Sequence, residues 1–227
     1  METLLTYFDI TTIFFTIGDY QMSYLEFFGT IFNITCVRLA ARNNILNWPI
    51  GILWGILYLA LFYQIQLYSD LVEQIYFLAT GFYGWYVWTM LGKRNEQVTS
   101  IKGITSKEAG IYLVCIFIGT MLFAYMTQHL SIWFPVQFPE PASYVLLDAF
   151  TTVLSFAATI LMIQKKVAAW YLWILVDIIG IWLYWVKWVK FISAEYVLFL
   201  FLAINGLISW SRIQKANHVA CAHKAFL

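Results

Sequence analysis

The side chain with the strongest claim to chemistry is a carboxylate in apolar surroundings. Asp177 closes the run Trp170-Tyr171-Leu172-Trp173-Ile174-Leu175-Val176-Asp177, about halfway along a hydrophobic stretch. An acid at that depth in a bilayer costs several kcal/mol unless it faces a polar cavity or a partner, so it marks a candidate ligand contact. Trp170, Trp173, Asp177 and Tyr184 recur at spacings of three, four and seven, which sets them on one stripe of a helix. Trp170 also reads as an interfacial belt residue. A matching set lies nearer the N-terminus. Asn47-Trp48-Pro49 opens one apolar run, and Gln74, Gly81, Trp85 and Trp88 share a face of the next. Asn47 ahead of Pro49 equally reads as an N-cap, and Asp70 with Glu73 as a capping pair. Gln74 sits one turn deeper without an obvious local partner, and its amide suits recognition of another amide or a hydroxyl. Tyr83 and Asn205, each followed by a glycine, read as a facing pair. Tryptophan faces attract a delocalised cation by roughly 0.5–2 kcal/mol per contact. With Asp177 as counter-charge, the expected solute is flat, aromatic and cationic.

The elements that position these residues follow from composition. With 62% hydrophobic and 11% charged residues, the chain has too little polar surface to cover a water-soluble globule. Backbone amides in hydrocarbon need internal partners, which favours helices of about 20 apolar residues. Such spans are expected near 24–41, 45–66, 69–91, 109–128, 143–163, 168–189 and 193–212. Adding 122 to a landmark in the first half reaches its counterpart without gaps: Glu26 meets Asp148, Trp48 meets Trp170, Gly84 meets Gly206 and Trp88 meets Trp210. The expected fold is therefore all-α and integral to the membrane, with seven transmembrane helices arranged as 3+1+3. In domain terms this gives an interfacial segment 1–23, a first three-helix repeat 24–91, a linker 92–142 carrying the connecting helix 109–128, a second repeat 143–213 and a tail 214–227. Because three spans end on the opposite side of the membrane, the odd helix is what makes the two repeats parallel. The ligand is expected near the midplane between them, with Gly81, Gly84 and Gly206 permitting close helix approach.

Charge placement orients this arrangement. With the N-terminus outside, the cytoplasmic set is Arg38, Arg42, Lys93, Arg94, Lys102, Lys107, Lys165, Lys166, Arg212, Lys215 and Lys224, and only Lys187 and Lys190 face out. The acidic start, with Glu2, Asp9 and Asp19, and the short apolar run 10–17 argue against a signal peptide and for an interfacial helix. Pro135, Pro139 and Pro141 mark an external loop, and Glu26 and Asp148 read as interfacial acids. Short connections and the lack of a GxxxxGK[ST] loop exclude direct drive by ATP. Three scattered cysteines make neither a disulfide framework nor a CxxC metal site, and Cys36 and Cys115 read as buried and inert. No cofactor, metal or nucleic-acid partner is implied. An intramembrane hydrolase would need a second acid beside Asp177, and a seven-helix receptor would need no duplication, so an enzyme is not expected.

Taken together, Asn47-Trp48-Pro49-Ile50-Gly51, Tyr63-Gln64-Ile65-Gln66-Leu67-Tyr68, Gln74 with Tyr83-Gly84-Trp85-Tyr86-Val87-Trp88, and Trp170-Tyr171-Leu172-Trp173 with Asn205-Gly206 resemble the PnuC family of vitamin transporters. The resemblance runs from about Tyr24 to Arg212. It implies a 3+1+3 fold with halves comparable to the SWEET sugar transporters, and uptake of nicotinamide riboside, a pyridinium nucleoside, across the bacterial inner membrane. Sister subfamilies imply thiamine or riboflavin as alternative cargo, and some nicotinamide-riboside members carry Asn where this chain has Asp177. The resemblance also implies functional coupling to a cytosolic kinase that phosphorylates the cargo. The sequence leaves a homo-oligomer open. With no coupling-ion cluster in view, the expected mechanism is facilitated diffusion by rocking of the repeats, the ring against Trp48, Trp85 or Trp173 and the polar groups on Gln74, Asn205 and Asp177.

Overall fold

The computed structural model describes residues 7–18, 20–65, 68–93, 101–135, 144–186 and 190–225. Strands β1 (Ile13–Ile17) and β2 (Tyr20–Ser23) precede α1 (Tyr24–Ala41), α2 (Asn47–Gln64), α3 (Tyr68–Lys93), α4 (Ser106–Trp133), α5 (Val145–Ile163), α6 (Ala168–Val186) and α7 (Lys190–Ala225). The chain divides into two compact units, residues 1–96 and 97–227.

In the first unit the expected N-terminal helix is replaced by an antiparallel hairpin. Ile13-Phe14-Phe15-Thr16-Ile17 is a run of β-branched and aromatic residues, which suit a strand, and Gly18 takes φ +60 at the turn. The hairpin leads directly into α1 through a capping box: the Ser23 amide donates to Glu26 at 2.8 Å and the Glu26 amide to Ser23 Oγ at 3.2 Å. Glu26 is thus a helix-start residue. α1 packs on α2 and α2 on α3. Gly29 lets the Tyr58 ring approach, and the Tyr58 hydroxyl pairs with Thr30 at 3.2 Å. Asn47 is not the cap of α2. That place is Leu46, whose amide donates to Asn44 Oδ1 at 2.9 Å, and Pro49 falls where its missing N–H has no intrahelical acceptor to lose.

The second unit runs α4 through α7, each helix packed on the next. The connecting helix α4 belongs to this unit, its Gly119 set against Val153 of α5. α7 continues past the expected end near 212 as far as Ala225, because no glycine or proline follows Gly206 to stop it. The loop holding Pro139 and Pro141 lies outside the described residues. Cys36 donates to the Asn47 carbonyl at 3.2 Å, whereas Cys115, expected to be buried, is exposed on α4.

The internal geometry of the two units repeats at the same offset. The turn after α1 holds Asn43 at φ 52, with Asn44 N–H donating to the Leu39 carbonyl at 3.0 Å; the turn after α5 holds Lys165 at φ 56, with Lys166 N–H donating to the Leu161 carbonyl at 2.9 Å. Both are Schellman closures. Trp48 meets Trp88 edge to face at 5.4 Å and 86°, and Trp170 meets Trp210 at 5.6 Å and 84°. Gly84 and Gly206 lie beneath these rings, so closely that a Cβ would fall 2.4 Å from Trp48 and 2.6 Å from Trp170. Among the described residues four helices, α4 to α7, are long and apolar enough to cross a membrane. The helices of the first unit have 18, 18 and 26 residues.

Candidate functional site

α6 separates its faces sharply. Tyr171, Leu175, Ile178, Trp182 and Trp185 are exposed, while Trp170, Val176, Asp177, Gly180 and Leu183 are buried. The stripe expected from spacing is therefore the inward one. Asp177 is only 4% exposed and makes no hydrogen bond or ion pair among the described residues. Trp173, half-buried, packs on the cluster of Ile116, Leu154 and Val176. Tyr184 stacks on Tyr196 of α7 at 5.4 Å and 20°, and Tyr196 in turn rests on Gly180. Asp177 thus lies on the same helix face as Trp173, Gly180 and Tyr184 and has no hydrogen-bond or ion-pair partner among the described residues.

α3 does the same for an amide. Gln74, Gly81, Gly84 and Trp88 are its buried residues; Gln74 is 3% exposed and its Oε1 has no hydrogen-bond partner among the described residues. A buried acceptor left unpaired costs about 1–3 kcal/mol, which a ligand donor would return. Asn47 is likewise buried with Oδ1 unpartnered. The two main groups are not repeat equivalents: position 74 corresponds to Tyr196 and position 177 to Gly55.

The remaining expected residues divide. Trp48, Trp88 and Trp170 are buried, with ring faces taken by glycine and by one another, which is a packing role; their partner Trp210, 0% exposed, was indicated by the offset from Trp88. The indole N–H groups of Trp48 and Trp170, at equivalent positions, are both buried without partners among the described residues. Tyr83 and Trp85 are exposed on α3, and Asn205 is exposed on α7 with its Nδ2 donating to the Phe201 carbonyl at 3.0 Å. Sequence reasoning missed Tyr196, whose counterpart Gln74 would have drawn attention to it, and Thr120, buried in α4 with an unpartnered hydroxyl. A pocket of about 450 Å³ under the N-terminal segment is lined by Tyr7, Phe8, Tyr24, Leu25, Phe28, Phe32 and Leu57. It contains none of the expected residues.

Asp177 on α6 and Gln74 on α3 are thus buried polar side chains without hydrogen-bond partners for the carboxylate and the amide oxygen among the described residues, and comparison with known proteins gives the chain a family. The model of the nicotinamide mononucleotide transporter family matches residues 23–212. The chain belongs to that family. A member from Escherichia coli K12, named nicotinamide riboside transporter PnuC, is 33% identical over 208 residues, covering 85% of this chain and 87% of that protein. A riboflavin/roseoflavin transporter, RibM of Streptomyces davaonensis, is 24% identical over 197 residues, covering 86% and 88%. The crystal structure of the vitamin B3 transporter PnuC superposes with a TM-score of 0.68 at 24% identity, covering 86% of this chain and 83% of that one, so the fold is shared. The family match opens at Ser23, the cap of α1, and closes at Arg212 within α7; the hairpin and the helical extension lie outside it.

Proposed function

We propose that the protein is a membrane transporter that takes up nicotinamide riboside by facilitated diffusion. The observation that carries this reading is the pair of buried, unpartnered groups, Gln74 and Asp177, in a chain of this transporter family. Gln74 would accept from the carboxamide or ribose, and Asp177 would balance the pyridinium charge. Trp173, Tyr184 and Trp85 would contact the ring, with Asn47, Tyr83 and Asn205 as further contacts. Trp48, Trp88 and Trp170 would hold the frame. In this reading all seven helices span the bacterial inner membrane as 3+1+3 with parallel repeats, N-terminus outside and C-terminus in the cytoplasm, supported by the lysine and arginine distribution. Net uptake is driven by cytosolic phosphorylation of the cargo, and the protein performs no chemistry itself.

The likeness to RibM favours riboflavin as a second reading. Charge separates the two, since riboflavin is neutral and gives Asp177 nothing to balance. Thiamine is cationic but has no carboxamide for Gln74. Calorimetry with the purified chain is expected to give tight binding of nicotinamide riboside, weak binding of thiamine and none of riboflavin. Riboflavin as the tightest ligand would overturn the assignment.

A further inference from the structure

The offset of 122 allows the protein to be compared with itself, and one difference stands out at the turn between the first two helices of each triplet. In the second unit the segment before α4 lies across that turn. Lys102 N–H donates to the Lys165 carbonyl at 2.9 Å and Val167 N–H to the Lys102 carbonyl at 3.0 Å, a one-residue parallel bridge. Ile101 is 2% exposed. The Lys166 ammonium donates to Glu108, which also closes a capping box with Thr105 at 2.9 and 3.3 Å. Gly103 passes so near α7 that a Cβ would fall 2.7 Å from Gln214 Nε2. Backbone bonds, a buried isoleucine and an ion pair thus tie the N-terminus of α4 to the turn between α5 and α6, alongside α7.

The corresponding turn of the first unit has the same left-handed residue and the same closing bonds. Yet no described segment takes the Asn43 carbonyl or the Ile45 N–H, the equivalents of the Lys165 carbonyl and the Val167 N–H. The Asn43 amide oxygen is buried without a partner among the described residues, and Ile45 and Leu46 are exposed where Val167 is buried. We propose that Ile101–Thr105 is a clasp that stiffens the second unit, and that the unclasped turn at 43–46 makes the first unit the deformable one. Two copies of one scaffold thereby acquire different rigidity, a built-in asymmetry for a protein that must move. The proposal goes beyond the transport reading and stands or falls without it.

Hydrogen exchange on the full chain in lipid nanodiscs, without substrate, tests it. A bridged, buried amide opens more rarely than an exposed, unbridged one, so fragments covering 43–46 are expected to exchange at least roughly tenfold faster than those covering 165–168. Lys102→Pro, which removes the donor to Lys165, is expected to erase that difference. Should Lys102→Pro not yield folded protein, the milder pair Ile101→Ala with Glu108→Gln is expected to raise exchange at 165–168 several-fold and leave 43–46 unchanged. Equal rates at the two turns of the unaltered protein, or a difference that survives loss of the clasp, would overturn the inference.

Discussion

Asp177→Asn tests the proposed site because it sets stability against recognition. The carboxylate is 4% exposed on α6 and without a partner among the described residues, so in the empty protein it is a cost. Insertion scales place an Asp at the centre of a membrane helix about 2.5–3.5 kcal/mol above an apolar environment. The uncharged amide keeps the shape and removes the ionic part, so the variant should gain about 1–2 kcal/mol of stability and melt higher. Binding should move the other way. Removing one partner of a desolvated charge pair costs about 2–4 kcal/mol, roughly 30- to 700-fold in affinity for a cationic riboside. The reduced riboside, with a neutral ring, should lose no more than about threefold, since its charge term is absent. Thermal unfolding and calorimetry on the same preparation read both effects. A variant that melts lower and binds the cation with unchanged affinity would refute the reasoning, since Asp177 would then be a structural residue.

Gln74→Leu should leave the melting temperature unchanged or raised, because an unpaired buried acceptor is lost, while lowering riboside affinity at least about tenfold; thermal scanning with calorimetry separates the two. Gly206→Ala places a Cβ 2.6 Å from three atoms of the Trp170 ring, and with Trp170 1% and Trp210 0% exposed the ring has no room to yield. The cost should be about 1–3 kcal/mol, with a comparable loss for Gly84→Ala; Gly110→Ala, which meets nothing within 4 Å, should not destabilise and serves as control in the same melts. Burial holds the Lys165 ammonium down from 10.5 to about 8. The unfolded chain therefore binds more protons than the folded one between about 8 and 10.5, and stability attributable to this group should rise with pH across that window. In Lys165→Met that component of the rise should be missing when melts at pH 7.5 and 9.5 are compared.

Helix positions were legible because apolar runs in this chain are long and bounded by polar turns. The first expected span, 24–41, coincides with α1, and 143–163 differs from α5 by two residues at its start. The N-terminal segment was misread as helical because a short amphipathic run has no decisive period, and β-branched density with Gly18 settled it as a hairpin. Gln74 and Asp177 were legible as buried polar groups because no neighbour in sequence could satisfy them. The tryptophans were less so. A buried indole that lines a cavity and one sealed against glycine have the same local sequence, and only the pairing of Trp48 with Gly84 and Trp170 with Gly206 across helices distinguishes them. Asn47 illustrates the same limit: a capping residue type beside a proline fits two positions in a helix start, and the backbone placed the cap at Leu46. The clasp could not be read at all, since a single-residue bridge leaves no periodicity.

The central claim is that this chain carries nicotinamide riboside across a membrane. Sealed proteoliposomes containing the purified protein, given labelled nicotinamide riboside, thiamine and riboflavin in parallel, test it directly. The expected result is saturable equilibration of intact nicotinamide riboside, independent of ATP and faster than for either other vitamin. Liposomes that take up nicotinamide riboside no faster than protein-free controls would contradict the account.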